Sequence, residues 1–347
     1  MARVLRSSST AFTSSHKNVI LVTAILAMLS LSTTGYAGCR YLKQASLDVT
    51  VANSTPTIGG SVNSHGINLL VDTGAVQTLL SKKFAERFDL ALSHTDRTSF
   101  GVGGVSQKYS AVVNEFSVGN IKGGKTRLAI VAESNVPNID AILGVDFLFQ
   151  RDLEIAFADK KLNYFYPSNC ENAFLAYWDP NASVVTTRDV SSRDKRQVFN
   201  VEIEGQNFLA LVDTGAQISV IDKAAAARLG LSEQSVGVTK KSSIMGGGKR
   251  VVDNWLLPLK DLRFGAEVVS DIKITMSDLY GGLSSDSQTI ETTYFIKDQP
   301  EIILGMDFIQ SHRLLFAISQ RKMYFSYLGG PVFQGGKVDR VVDVAPD

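Results

Sequence analysis

Cysteine and histidine are the scarcest reactive side chains in this chain. Two cysteines among 347 residues cannot build a disulfide-dense scaffold or a zinc site of four thiolates. The four histidines, His16, His65, His94 and His312, lie far apart with no H-x-x-x-H pair. A histidine-built metal centre is therefore not expected, and nothing implies a cofactor. No sign of charge is in excess. Lys plus Arg is 35 and Asp plus Glu is 34, so the formal charge of +1 leaves no electrostatic footprint for nucleic acid or an anionic membrane. What is present is core material. A hydrophobic share of 44% excludes a largely disordered chain, and the length allows two or three domains.

Residues 1–38 read as a signal segment. Arg3, Arg6 and Lys17 come first with no acid among them, then the apolar run VILVTAILAMLSL at 19–31, then small residues. A helix over that run rises about 20 Å, short of a ~30 Å hydrocarbon core, so export is favoured over a membrane anchor. Two exits are open. A signal peptidase would cut after Ala37, with Gly35 and Ala37 both small. Alternatively Ala37-Gly38-Cys39 resembles the lipobox of bacterial lipoproteins, with Cys39 lipidated and Tyr36 standing where an aliphatic residue is usual. If Cys39 keeps its thiol, it is free to pair with Cys170 in an oxidising compartment.

The rest of the chain is one unit written twice. INLLVDTGAVQTLL at 67–80 matches FLALVDTGAQISVI at 208–221, and AILGVDFLFQ at 141–150 matches IILGMDFIQS at 302–311. Between these anchors, SKKFAERFDL and DKAAAARLGL predict short helices, with Ser81 and Asp222 as N-caps and Gly230 ending the second. Glycine clusters follow at 100–104 and 245–248, then strand pairs. LEIAF at 153–157 and LLFAI at 314–318 predict strands, each followed by an aromatic strand. The class is mostly β, with an N-terminal lobe at 46–167, an interlobe linker at 168–196 that is partly packed, a C-terminal lobe at 197–328 and a Gly-rich, then acidic tail at 329–347.

The doubled V-D-T-G-A, each copy followed at a distance by I-L-G-x-D-F, resembles the aspartic proteases and more closely their retropepsin-like branch. Alanine after each D-T-G (Ala75, Ala216) and a Gly-rich segment in each half favour that branch. The resemblance implies two homologous β lobes with the active site between them, here in a single chain, so that a monomer holds both halves. The residue logic runs beside it. Hydrolysing a peptide bond needs a water made nucleophilic and a carbonyl made electrophilic, and two carboxylates sharing one proton do both. Asp72 and Asp213 are the expected pair. Thr73 and Thr214 have hydroxyls placed to bond the opposite loop, and Gly74 and Gly215 let backbone N–H groups approach the acids. Asp146 and Asp307 read as caps of a following short helix. Gly101, Val102, Gly103 and Gly104, with Met245, Gly246, Gly247 and Gly248, are expected to form two flaps that close on an extended polypeptide substrate. The rival is a binding module that holds peptide without cutting it.

One motif is set aside. GNIKGGKT at 119–126 fits the P-loop pattern, but RLAIVA after it reads as a strand where a P-loop needs a helix. No G-x-S-x-G elbow supports a lipase or esterase. The matched aromatics Tyr164, Phe165, Tyr166, Tyr324, Phe325 and Tyr327 read as sheet packing.

Overall fold

Each copy of the repeat opens with a hairpin whose turn residues set its register. Thr55–Val62 returns as His65–Val71 through Asn63 and Ser64, with φ of 47° and 66°. Val198–Ile203 returns as Gln206–Val212 through Glu204 and Gly205, with φ of 48° and 80°. Two left-handed residues in succession match the twist of paired strands. The computed structural model describes residues 38–101, 104–132, 136–188, 194–245, 251–281 and 299–340. Of the expected signal segment at 1–38, residues 1–37 lie outside them.

After each hairpin the chain forms a three-residue strand and a short helix. Leu79–Ser81 leads into Lys82–Arg87, and Val220–Asp222 into Lys223–Arg228. Ser81 Oγ accepts from Phe84 N–H and Asp222 from Ala224 N–H, so both predicted caps are made. Gly230, at φ 74°, follows the second helix. A long hairpin comes next: Ser93–Gly101 with Gly104–Val113, and Thr239–Met245 with Val251–Phe264. Ala141–Leu143 then runs parallel to the first hairpin, pairing Ala141 with Leu69 and Leu143 with Val71. In the second half Ile302 pairs with Ala210 and Leu304 with Val212, the same register. The P-loop-like run is a hairpin. Phe116–Val118 pairs with Ile121–Gly123 across Gly119, at φ 56°, and the strand Thr126–Val131 follows.

The lobes differ in how their sheets close. Val251–Phe264 is one strand of 14 residues, paired both with Val198–Ile203 and with Glu267–Ser277, which closes the C-terminal sheet into a barrel. The N-terminal lobe breaks the corresponding run at Asn114 and Glu115, whose N–H groups donate to Asn63 Oδ1 at 2.7 and 3.2 Å.

A third sheet joins the lobes. Its order is Arg40–Asp48, Lys161–Ser168, Asp152–Ala156, His312–Ala317, Lys322–Tyr327, Ser183–Thr186, three strands from each side of a two-fold arrangement. At its centre Leu153 pairs with Phe316 and Ile155 with Leu314. The matched aromatics lie in this sheet. Asp152 accepts from Ser319 N–H and Oγ–H of the other lobe at 2.9 and 2.8 Å, while Arg313 reaches Asp159 at 3.4 Å and buried Glu154 at 2.8 Å. Part of the interlobe stretch is thus sheet: Ser183–Thr186 is an edge strand equivalent to Arg40–Asp48. Residues 169–182 cover one face through Leu175, Ala176 and Ala182, packed with Phe165, Leu315 and Tyr324. Cys39 is disulfide-bonded to Cys170, which fastens the start of the first edge strand to that cover. The lipidation alternative would need the same thiol free. The tail is partly structured as well. Val332 and Phe333 are buried, and Lys337–Arg340 pairs with Glu267–Ser270.

Candidate active site

The parallel strands deliver the two aspartates. Asp72 N–H donates to Leu143 O at 3.1 Å and Asp213 N–H to Leu304 O at 2.9 Å, so each ladder ends on the acid itself. The loop then turns back. Behind it, Val145 N–H donates to Ala75 O and Met306 N–H to Ala216 O. Glycine is required at that contact, since a Cβ on Gly144 would sit 2.5 Å from the Gln77 backbone and one on Gly305 2.6 Å from that of Ile218. The expectation that Asp146 and Asp307 cap the helices that follow needs correcting. The N-cap positions are Gly144 and Gly305, without a side-chain cap bond. Both acids lie in the first turn and reach outward. Asp146 Oδ1 accepts from Thr78 N–H and Oγ1–H at 2.8 and 2.6 Å, and Asp307 Oδ1 from Ser219 N–H and Oγ–H at the same distances. They brace the far end of each active loop.

The two loops hold each other through their threonines. Thr73 Oγ1 donates to Val212 O at 2.7 Å and accepts from Thr214 N–H at 3.0 Å. Thr214 Oγ1 donates to Val71 O at 2.7 Å and accepts from Thr73 N–H at 3.1 Å. Both side chains are buried, at 1% and 0% exposure, so these four bonds have no competition from water.

This crossing brings the carboxyls together. Gly74 packs so tightly on the opposite acid that a Cβ there would lie 2.4 Å from Asp213 Cγ, and one on Gly215 would lie 2.4 Å from Asp72 Cγ. Asp72 Oδ1 accepts from the N–H groups of Gly74 and Ala75 at 2.9 and 2.8 Å. Asp213 Oδ1 accepts from Gly215 N–H at 2.8 Å. Burial first, and then the charge of Asp213 beside it, hold the Asp72 carboxyl well above the ordinary carboxylate range. Burial also raises Asp213. Opposing it are Gly215 N–H, a hydrogen bond from Asp72 and the positive charge of Arg196. Both carboxyls are thus pushed toward the protonated form, and the two titrate as one pair.

Two regions of the chain match known sequence families. Residues 58–150 match the family described as gag-polyprotein putative aspartyl protease, and residues 199–308 match that described as aspartyl protease. The chain carries two retropepsin-like aspartyl protease regions in tandem. No curated protein matches it.

Each protease region contains one D-T-G loop, two short helices and one long hairpin at the segment expected to form a flap. In the N-terminal region Gly101 pairs with Gly104, whose φ of 99° suits glycine; Val102 and Gly103 between them lie outside the described residues. Phe100 and Val105 pair across this tip and are both exposed, at 45% and 42%. In the C-terminal region the Met245 backbone pairs with Val251, and Gly246, Gly247 and Gly248 lie outside the described residues.

Three features of the site have no signal in the motifs. Arg196 is bound by both oxygens of Asp194 and by Gln299, and places a cation near Asp213. Gln217 donates to Asn53 O and Thr55 Oγ1 at 3.2 and 3.0 Å, tying the C-terminal loop to the rim of the other lobe. Lys108, on the returning strand of the first long hairpin, donates to Gln77 Oε1 at 3.2 Å.

Proposed function

We propose that the protein is an aspartic endopeptidase acting on extended polypeptide. The observation that carries this is the pair of carboxyls, each packed against the other loop's glycine, where desolvation and mutual charge favour one shared proton. The pair shares one proton and its members exchange roles during turnover; with the proton on Asp72, the ionised Asp213 takes a proton from a water lying between the acids. The resulting hydroxide attacks the peptide carbonyl as Asp72 gives its proton to the carbonyl oxygen. When the tetrahedral adduct collapses, the C–N bond breaks and the proton now on Asp213 passes to the leaving amine. Asp72 recovers its own from the gem-diol. No step calls on a metal or cofactor.

Activity requires one carboxyl to stay protonated, so it should fall as pH rises past the upper apparent pKa of the pair. Ala75 and Ala216 bring no hydroxyl to stabilise the anion, which leaves that limit higher than in relatives with serine there. A rate still climbing at about pH 9 would contradict this. One chain contributes both loops, which supports a monomer as the active species. The proposed location is outside the cytoplasm, with residues 1–38 as the export signal. The Cys39–Cys170 disulfide supports an oxidising compartment.

The test is cleavage of a peptide library by the purified protein. Asp72→Asn and Asp213→Asn should each lose about 10²–10⁴-fold or more in kcat. Full activity in either variant rejects the shared-proton mechanism. Peptide binding without any cleavage by the wild type would make the chain a peptide-holding module instead.

A further inference from the structure

The flap strands carry a position that is equivalent in the two lobes and chemically opposite. Lys108 pairs with Val131, which pairs with Ser81. Asn254 pairs with Ser277, which pairs with Asp222. Ser81 and Asp222 cap matched helices, so Lys108 and Asn254 occupy the same place in the two halves. The loop residue five beyond each aspartate is Gln77 in one lobe and Ile218 in the other.

In the N-terminal lobe Lys108 spans from the flap strand to the active loop and bonds the neutral amide of Gln77. It is partly buried, and that burial, with the charge of Arg97, works against its own positive charge. The charge of Asp146 favours it, but Asp146 Oδ1 is already taken by Thr78 and by Phe147 N–H. A half-desolvated ammonium resting on an amide gains from an incoming carboxylate. The C-terminal lobe offers no charge at this place. Asn254 is 1% exposed, its Nδ2 donates to Ser242 O at 3.1 Å, and its Oδ1 has no partner among the described residues. At 1% exposure the side chain keeps a neutral amide and brings no cation to this place.

We infer that Lys108 is a specificity residue: the cleft takes an acidic side chain of the peptide on the N-terminal-lobe side and a neutral side chain at the equivalent place on the Asn254 side. The two-fold relation of the lobes puts these places on opposite sides of the scissile bond. The inference rests on the endopeptidase reading. Lys108 is not part of the dyad, so it should govern which peptides are cut and leave the chemistry alone.

The experiment is a peptide-library digest with the purified chain, its products read by mass spectrometry, for wild type, Lys108→Met and Lys108→Glu. Thermal melts verify folding, and Lys108→Gln replaces any variant that does not fold. Asp or Glu should be enriched about tenfold at one subsite on one side of the cut. Lys108→Met should erase that enrichment, raising KM for acidic peptides about tenfold while kcat holds. Lys108→Glu should turn the preference to Lys or Arg. A wild-type profile blind to acids, one equally acidic on both sides, or a preference unchanged in the variants overturns the inference and leaves the endopeptidase reading intact. If the wild type cuts nothing, that reading fails instead. Binding of fluorescent acidic peptides to wild type and Lys108→Met then decides, and equal affinity overturns the inference.

Discussion

The two lobes agree most closely where they touch and diverge with distance from that contact. Where the loops cross, the correspondence is bond for bond. Each threonine makes the same two hydrogen bonds, each glycine the same approach and each strand the same register. At the acids themselves the loops differ: Asp72 accepts two loop N–H groups where Asp213 accepts one, and the charge of Arg196 bears on Asp213. Further out, the segment joining the last flap-side strand to the I-L-G strand covers 132–140 in one lobe and 278–301 in the other. The floor needs two equal arms to hold two acids face to face. The walls carry no such demand, and there a duplicated chain is free to make its halves different.

The edges of the shared sheet test that view first. The Arg40–Asp48 strand is fastened by the Cys39–Cys170 disulfide, which closes a loop with a sequence separation of 131, while Ser183–Thr186 has no such tie. On the chain-entropy account, removing the bridge by Cys39→Ala with Cys170→Ala should cost roughly 4–5 kcal/mol, measured by denaturant unfolding. Hydrogen exchange should then show the Arg40–Asp48 edge loosening while Ser183–Thr186 stays protected. Equal loosening of both would break the comparison.

The threonines should behave as equals. Thr73→Val and Thr214→Val each remove a hydroxyl and orphan a carbonyl and an N–H of the other loop, at about 1–3 kcal/mol for each buried group left unmade. The two variants should match, and the double variant should cost less than their sum, because each removes part of the same network. Unequal costs would mean that the loops do not bear on each other symmetrically.

The acids should not behave as equals. Burial and the neighbouring charge raise Asp72 above its unfolded value. A carboxyl raised on folding contributes stability that is intact below about pH 4 and is lost as pH climbs through the raised value. Asp72→Asn should therefore match the wild type in strong acid and exceed it near neutrality, by about 1.4 kcal/mol for each unit by which Asp72 is raised. Asp213→Asn should gain less, because Gly215 N–H and Arg196 favour its charge. Melting curves from pH 3 to 8 give the ordering, and a larger gain for Asp213→Asn would break this asymmetry.

The helix caps give the smallest difference. Ser81→Ala should cost about 1 kcal/mol. Asp222→Ala should cost somewhat more, since Asp222 also accepts from Leu279 N–H at 3.1 Å.

Much of this architecture is legible in the residues. The doubled V-D-T-G-A and I-L-G-x-D-F locate both loops and the strands behind them, because glycine and aspartate at fixed spacing leave little conformational choice. Ser81 and Asp222 announce their helices for the same local reason. What resists reading is decided by distant partners. The strand at Ser183–Thr186 is four residues in a polar stretch, and it becomes sheet only because Lys322–Tyr327 presents an open edge. The strand at Lys337–Arg340 depends in the same way on Glu267–Ser270. Two isolated cysteines carry no geometry, so pairing and lipidation stay level until the fold sets them side by side. Asp146 and Asp307 have the local look of caps, and only tertiary contact turns them toward Thr78 and Ser219. Lys108 and Asn254 fall in strands without a motif, so nothing local marks them.

The sheet that joins the lobes also removes concentration from the problem of assembly. Two separate halves would have to find each other in solution, and at low abundance they would drift apart. Here the covalent tether and the six strands of one sheet keep one carboxyl in permanent reach of the other, so dilution leaves the paired loops intact.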